Sequence, residues 1–422
     1  MADPLRLPLM PLDDALARLL ASAQPVLASE SIATTEADGR VLAQEVISAL
    51  TVPPCDNSAM DGYAVRAADC AVAGAELAVT QRIPAGGDGL PLIAGTAARI
   101  FTGAPIPPGA DAVVMQEQTA ALETQEPQLQ EPQSPFGRVR IEVPVTPGRS
   151  IRRAGEDIRA GEVVLAAGER LTPAALGLAA SVGLGRLQVT CRPRVALLST
   201  GDELVMPGEV PPEAMRPGAI YNSNRFFIRA LLQRTGCDVS DLGIVPDRLE
   251  ATVEVLRAAA VAHDLIVTTG GVSVGEEDHV KTAMRALGEL QLWSLAMKPG
   301  KPFAYGRIGK THVCGLPGNP VSSFMTFLML VRPFLLRLQG ATRVAPRAVA
   351  MRADFDWPRP DRRREFLRVR INDAGGLDLF PNQGSGVLTS TVWGDGLVDN
   401  PCSGLIRRGD MVRFISFAEF LG

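Results

Sequence analysis

Between Arg194 and Leu338 the chain alternates between two hydrophobic periods: short unbroken apolar runs, and stretches in which apolar residues return every three or four positions. Unbroken runs bounded by turn residues mark strands buried on both faces, and the longer spacing marks helices that cover them. The pattern predicts strands at 194–199, 238–245, 264–269 and 311–316, and helices at 223–235, 248–262, 278–287 and 319–338. Strand and helix in strict alternation predict a parallel α/β sheet. Ligands of such sheets bind beyond the carboxyl ends of the strands. The loops Thr200-Gly201-Asp202-Glu203, Pro246-Asp247, Gly270–Gly275 and Leu316-Pro317-Gly318-Asn319 are therefore expected on one rim.

Outside this segment the periods differ. Leu12, Leu16, Leu19 and Leu20 share a face of a short helix over 12–22, with Asp13 as candidate cap. From 60 to 150, short runs cut by turns at 85–89, 107–109 and 147–148 predict a small all-β unit. Within it, residues 120–135 are polar and rich in Gln, Glu and Pro, the composition of a mobile surface loop. Residues 151–190 return to the first layer and end in a small-residue helix at 173–182. After Gly340 the helical spacing gives way to short strands, a further small β domain over 345–422.

Composition narrows the function classes. Of 422 residues, 46% are hydrophobic and 21% charged, an ordinary globular mix that excludes a wholly disordered chain. A net charge of −4 and only 5% aromatics argue against a nucleic-acid surface. Six dispersed cysteines and three histidines suggest neither a zinc site nor a disulfide framework. The charged N-terminus lacks a signal-peptide core, and the most apolar stretch, Phe324 to Val331, falls short of the roughly 20 residues that span a bilayer. A soluble, cytoplasmic protein with neither membrane nor nucleic acid as partner is expected. The run Arg362, Arg363, Arg364, Arg368 and Arg370 is of a size to hold an anionic small molecule. Only four of 42 basic residues are lysines, so two of them, Lys298 and Lys301, in one five-residue loop stand out.

Chemistry concentrates in the loops. Gly270, Gly271, Val272, Ser273, Val274 and Gly275 precede acids at a helix start, which suits either a phosphate cradle or a tight turn with Asp278 as cap. The spacing is neither that of a Walker A loop nor that of a dinucleotide fingerprint. Asn319 and Pro320 read as N-cap and first helical position. Ser199-Thr200-Gly201-Asp202-Glu203, with Asp278 and Asp247, offers the hard oxygen ligands that Mg²⁺ prefers beside a phosphate, or simply capping turns. Two polar clusters, Asp56–Tyr63 and Arg152–Asp157, follow no helix or strand period and are candidate functional loops. Arg364–Arg368 and Gln383–Gly386 present an arginine and a hydroxyl to an oxyanion, or form a solvated strand face. From these residues alone a multi-domain α/β enzyme handling a phosphorylated ligand with Mg²⁺ is expected.

Seven strings resemble one family in order: DNSAMDGYAVR (56–66), FTGAPIPPGADAVVMQE (101–117), IRRAGEDI (151–158), STGDEL (199–204), TTGGVSVGEED (268–278), KPGKP (298–302) and GLPGNPVSS (315–323). Together they are similar to the MoeA-type molybdopterin molybdenumtransferases, the family that includes the E domain of gephyrin. The resemblance implies an α/β plus β multi-domain chain. Its parts are a parallel-sheet, MogA-like α/β domain at 192–341, a small β lid at 53–149, a C-terminal β-barrel at 342–422, and an elongated linking and dimerisation layer from 1–52 and 150–191. It implies insertion of molybdate into adenylylated molybdopterin with Mg²⁺-dependent release of AMP. The family forms a homodimer whose cleft lies between the α/β domain of one subunit and the small β domain of the other. The adenylyltransferase that supplies the substrate and apo-molybdoenzymes that receive the product are further implied partners.

Carried over position by position, the resemblance assigns catalytic acids to Asp61, Asp157, Glu203 and Asp278, with Glu203 and Asp278 as metal ligands. It assigns substrate contacts to Thr102, Ser199, Gly201, Asp247, Gly270, Gly271, Ser273, Gly275, Pro299, Gly300, Pro317, Gly318 and Asn319. It assigns molybdate binding to Lys298, Lys301, Ser322, Arg368 and Ser385. Ser294 and His279 stand where some relatives carry lysine and tyrosine, and the 120–135 segment is longer than in a minimal relative. Alternatives within the same resemblance are a gephyrin-type scaffold and a molybdopterin adenylyltransferase; the first usually brings a second fused α/β domain, and the second is an isolated one.

Overall fold

The computed structural model describes residues 9–25, 28–122, 136–271 and 279–421. They form two compact units, one of Met1–Gln44, Ala167–Leu176 and Arg186–Gly422, the other of Glu45–Ala166 and Gly177–Gly185.

The larger unit is built on a seven-stranded sheet in the order Leu9–Met10, Glu289–Leu295, Pro302–Ile308, Thr311–Leu316, Leu265–Thr269, Arg194–Thr200, Asp238–Val245. The four strands predicted from the apolar runs are all present and mutually parallel. The sheet as a whole is mixed, because Pro302–Ile308 runs antiparallel to both of its neighbours. Ile308 pairs with Thr311 across the two-residue turn Gly309-Lys310, with Gly309 at φ +60°. Such a turn suits glycine at positive φ and closes a hairpin without splaying its strands.

Helices cover both faces. Strand Arg194–Thr200 sends Val195 and Leu197 into a core shared with Ile228, Leu231 and Leu232 of helix Ser223–Arg234. Its alternate residues Ala196 and Leu198 meet Leu256 and Ala259 of helix Leu249–Ala262, and Val280 and Ala283 of helix His279–Leu287. This is the period-two consequence of a strand buried on both sides.

The core of the first face is the helix Pro320–Leu338. It is regular to Thr326, widens into a π turn over Phe327–Val331, and resumes at Arg332. Pro333 explains the widening: it has no N–H to give, and its ring would collide with the carbonyl four residues back. Among the described residues this is the one helix long and apolar enough to cross a membrane, and 83% of its apolar window is buried inside the unit. It matches the helix predicted at 319–338, and its unbroken apolar stretch is shorter than the helix because Ser322, Ser323 and Arg332 interrupt the run. Helix Leu12–Ser22 packs Leu12, Ala15 and Leu19 into the same core. Pro11, not Asp13, holds its N-cap position, and Asp13 instead accepts from Arg364 at 2.9 Å.

The C-terminal strands form a second sheet in this unit: Met297–Lys298, Arg364–Ile371, Gly396–Asn400, Met411–Ser416, Val349–Arg352. Strand Met297–Lys298 is parallel to Arg364–Ile371, so the KPGKP loop leaves directly from this sheet. Helices Thr389–Trp393 and Ala418–Leu421 also occur here, too short for a period to reveal.

The smaller unit holds a six-stranded sheet in the order Ala112–Met115, Gly62–Val65, Thr96–Ile100, Ala75–Ile83, Arg138–Ile141, Thr119–Leu122. Residues 120–122, expected in a mobile loop, belong to its edge strand, while 123–135 lie outside the described residues.

Candidate active site

Three of the four expected loops line one cleft of about 580 Å³ at the carboxyl ends of the parallel strands. Thr200 and Glu203 enter from the first loop, Thr269 and Gly270 from the third, and Gly318, Asn319 and Pro320 from the fourth. Asp247 is bound to this group through its own backbone, whose N–H donates to Asp202 at 3.4 Å. Ser273, Gly275 and Asp278 lie outside the described residues.

Glycine is required at 270. Its φ is +88°, and a Cβ there would stand 2.6 Å from the carbonyl oxygen of Thr200. Glu203 curls back over Gly201, where a Cβ would meet its carboxylate at 2.6 Å. Ser199 does not line the cleft: it is fully buried and shares a hydrogen bond at 3.1 Å with Thr269, which does. Gly271 is also at positive φ, 66°, and packs on Val280.

Two helices begin at this cleft, Ser223–Arg234 and Pro320–Leu338. Asn222 caps the first by accepting from the N–H of Arg225 at 3.2 Å. Asn224 donates to the carbonyl of Gly318 at 2.8 Å and ties the two starts together. Asn319 occupies the expected N-cap position of the second, but its side chain caps nothing; its backbone carbonyl accepts from Ser323 at 2.9 Å, and the Ser323 hydroxyl donates to Pro317. The Asn319 side chain is thereby left exposed on the cleft wall.

Among the described residues the cleft lining carries one carboxylate, Glu203, and neither lysine nor arginine. Glu203 has no ion-pair partner among the described residues. Hard oxygen donors without a cation fit Mg²⁺, which keeps several waters and needs only one or two carboxylates. No ready-made group of three His, Cys, Asp or Glu converges among the described residues.

Of the residues expected to hold molybdate, Ser322 and Ser385 meet at the start of the second helix. Gly386 lines the cleft, and the carbonyl of Ser385 accepts from the N–H of Val321 at 2.9 Å, one residue before the buried Ser322. Arg368 is 1% exposed, and its guanidinium donates to Ser390 Oγ at 3.1 Å and to the carbonyls of Phe366 and Gly384 at 3.1 and 3.2 Å. All three partners are neutral, and burial pushes its pKa down to about 10, so it stays charged at neutral pH. Lys298 donates to the buried carboxylate of Glu365 at 3.2 Å and lies 3.5 Å from Asp361. Lys301 has no ion pair among the described residues. Pro299 and Gly300 join the two lysines; Gly300 is at φ +117°, with the unpartnered Thr326 hydroxyl 2.8 Å from where its Cβ would be. The arginine run does not act as one anion surface. Arg363 pairs with Asp361 and Arg364 with Asp399, while Arg370 stacks on Trp393.

In the smaller unit the two polar clusters meet. Strand Asn57–Ser58 pairs with Ile151–Arg152, so part of each cluster is strand after all. Arg153 bonds Asp56 at 2.6 Å, and Asp56 also accepts from Ala154 N–H; these two donors hold its pKa below the ordinary carboxylate range. Thr102 donates from its N–H and its hydroxyl to Asp61, both at 2.8 Å, which lowers the pKa of this exposed acid. The carboxylate of Asp157 is exposed nearby in sequence, two residues after Gly155.

Asn222, Asn224 and Tyr221 of this cleft were not anticipated. The Asn-x-Asn spacing across a strand-to-helix turn was the available signal, and it was absorbed into the helix prediction.

A mixed α/β sheet with its loops gathered on one rim, in a chain that also carries two further six-stranded sheets, defines a multi-domain α/β protein. Residues 10–183 match the MoeA N-terminal region (domain I and II), 196–337 a probable molybdopterin binding domain, and 350–417 the MoeA C-terminal region (domain IV). A molybdopterin molybdenumtransferase of Haemophilus influenzae is 40% identical over 79% of this chain and 78% of its own. Molybdopterin molybdenumtransferase 2 of Mycobacterium tuberculosis is 37% identical over 91% and 93%. The crystal structure of the molybdopterin biosynthesis MoeA protein of Pyrococcus horikoshii superposes with a TM-score of 0.81 at 30% identity, over 97% of this chain and all of that one. The chain belongs to the MoeA family of molybdenum cofactor biosynthesis.

Proposed function

We propose that the chain is a molybdopterin molybdenumtransferase that inserts molybdate into adenylylated molybdopterin and releases AMP with Mg²⁺, acting as a cytoplasmic homodimer. The observation that carries this reading is the pairing of two unlike anion sites at one helix start. A cleft of neutral N–H and hydroxyl donors with one acid suits a phosphate ester with a metal. The adjoining buried Arg368, with only neutral partners, suits a bare oxyanion.

In this reading Glu203 and Asp278 would hold Mg²⁺, which would supply positive charge beside the phosphate linkage. Thr200, Gly270 and Asn319 orient the ester from the rim, and Gly201, Gly271, Pro317 and Gly318 shape the approach of the backbone to it. Arg368, Lys301, Ser322 and Ser385 hold molybdate; Lys298, anchored by Glu365, positions the loop that carries Pro299 and Gly300. Asp61, fixed by Thr102, serves the same reaction from the small β domain of the partner subunit, and Asp157 from that subunit's linking layer. Holding oxyanion and dithiolene together supplies much of the acceleration, since orientation removes an entropic barrier. Division into a linking layer, lid, α/β domain and C-terminal β domain accompanies this reading.

Purified protein incubated with adenylylated molybdopterin, Mg²⁺ and molybdate is expected to release AMP and to activate an apo-molybdoenzyme in parallel. Bound but intact adenylate would instead mark a scaffold relative, and formation of the adenylate from ATP would mark an adenylyltransferase.

A further inference from the structure

A second hollow, of about 830 Å³, opens at the other end of the seven-stranded sheet from the cleft. Arg194, Asp264 and Thr311 line it, and each stands at or just before the amino end of a parallel strand. Strand Leu265–Thr269 runs from this hollow to the cleft, and its five residues at about 3.3 Å each set the two roughly 17 Å apart. A ligand held here is out of reach of the cleft.

Charge sets the class of ligand. Among the described residues the lining carries Arg194, Arg257, Arg307 and Lys310 against one acid, Asp264. Asp264 is spent on Arg194, whose guanidinium donates to it at 3.1 Å and whose backbone N–H donates at 2.8 Å. Arg307 stands opposite Glu289 in the strand ladder without forming an ion pair with it. Arg257, Arg307 and Lys310 thus keep no ion-pair partner among the described residues. Nor are they needed to cap the adjoining helix Leu249–Ala262. Its Ala259 carbonyl accepts from the backbone N–H and from Nδ1 of His263, and its Ala260 carbonyl from the Thr311 hydroxyl at 2.7 Å. Three cations around one hollow repel one another until an anion enters. The rest of the wall is apolar: Ala260, Val261, Ile308 and Leu338 share it, with Val261 86% exposed. The volume falls within the roughly 300–1,000 Å³ of small-molecule sites and is far larger than a bare inorganic ion needs.

We propose that this hollow is a second binding site, for a small organic anion whose acidic groups pair with Arg257, Arg307 and Lys310 and whose apolar body covers Val261 and Ile308.

The test is titration calorimetry of the full chain with naphthalene disulfonate, a dianion with an apolar body, and separately with sulfate. Wild type is expected to bind the disulfonate at least about 10-fold more tightly than sulfate. Replacing Arg307→Gln and Lys310→Gln together is expected to weaken the disulfonate about 30-fold, and Arg257→Gln about 5-fold. Melting temperatures should hold, because these three exposed side chains have no ion pair to lose. Arg229→Gln removes an exposed cation of helix Ser223–Arg234 outside the hollow and should leave the affinity unchanged. Equal affinity in wild type and every variant puts the probe elsewhere and overturns the inference. Wild type that binds no disulfonate overturns it too, as does an equal loss in Arg229→Gln or sulfate bound as tightly as the disulfonate. Should the double variant fail to fold, Arg257→Gln decides.

Discussion

Asp61 shows how a single carboxylate can be held ionised without being buried. Two donors from Thr102 favour its charged form, so its charge persists to lower pH than that of an ordinary aspartate. Asp61→Asn keeps the acceptor for Thr102 and removes only the charge. AMP release is expected to fall by about 100-fold, the scale of losing one positioned electrostatic group, with an unchanged melting temperature. His312 is the opposite case. It is buried against Tyr305, whose hydroxyl is 2.9 Å from Nδ1, and burial lowers its pKa from 6.5 to about 4. Below pH 6.5 the unfolded chain binds a proton that the folded chain refuses. The stability held above pH 6.5 is therefore lost progressively down to about pH 4, by at most about 3 kcal/mol. Denaturation midpoints measured across that window should slope with pH in wild type and flatten in His312→Phe. At this scale the acids, lysines and Thr102 could be picked out as motifs. Asn222 and Asn224 could not, because what marks them is their place where two helix starts meet at the cleft, and no string of letters records that.

Among the elements, the four parallel strands and their helices were legible because burial on both faces leaves unbroken apolar runs. The antiparallel strands Glu289–Leu295 and Pro302–Ile308 were not, since the first alternates polar with apolar residues and the second is separated from strand Thr311–Leu316 only by Gly309-Lys310. Strand Met297–Lys298 was hidden for another reason: two residues have no period, and its partner lies about 70 positions on. Gly270 connects fold and site at this level, because the end of strand Leu265–Thr269 must turn sharply beneath the Thr200 carbonyl. Gly270→Ala combines a disfavoured φ with a backbone clash. A loss of about 2–3 kcal/mol in urea denaturation is expected, together with loss of AMP binding.

For the whole molecule, the proposed cleft between subunits makes a prediction that no single chain can satisfy. Asp61→Ala and Glu203→Ala should each be inactive alone. Mixed after co-expression, the two variants should recover activity, because a heterodimer then contains one cleft with both residues intact. Roughly a quarter of the wild-type sites would be restored, and light scattering should give about 90 kDa, twice the 44.7 kDa chain. No recovery in a preparation of that mass would place Asp61 and Glu203 in the same subunit's site or in none.

The buried helix Pro320–Leu338 also constrains how the protein is made. Its apolar surface is covered by Leu12, Ala15 and Leu19 from the beginning of the chain and by Phe366, Leu397, Ile415, Phe417 and Phe420 from its end. Arg332, charged and inside that helix, donates to the carbonyls of Glu419 and Phe420. A ribosome that has just released Leu338 has therefore exposed this segment some eighty residues before the last of its cover, Phe417 and Phe420, exists. A chain that stopped short of Ile415 would leave that side of the helix uncovered.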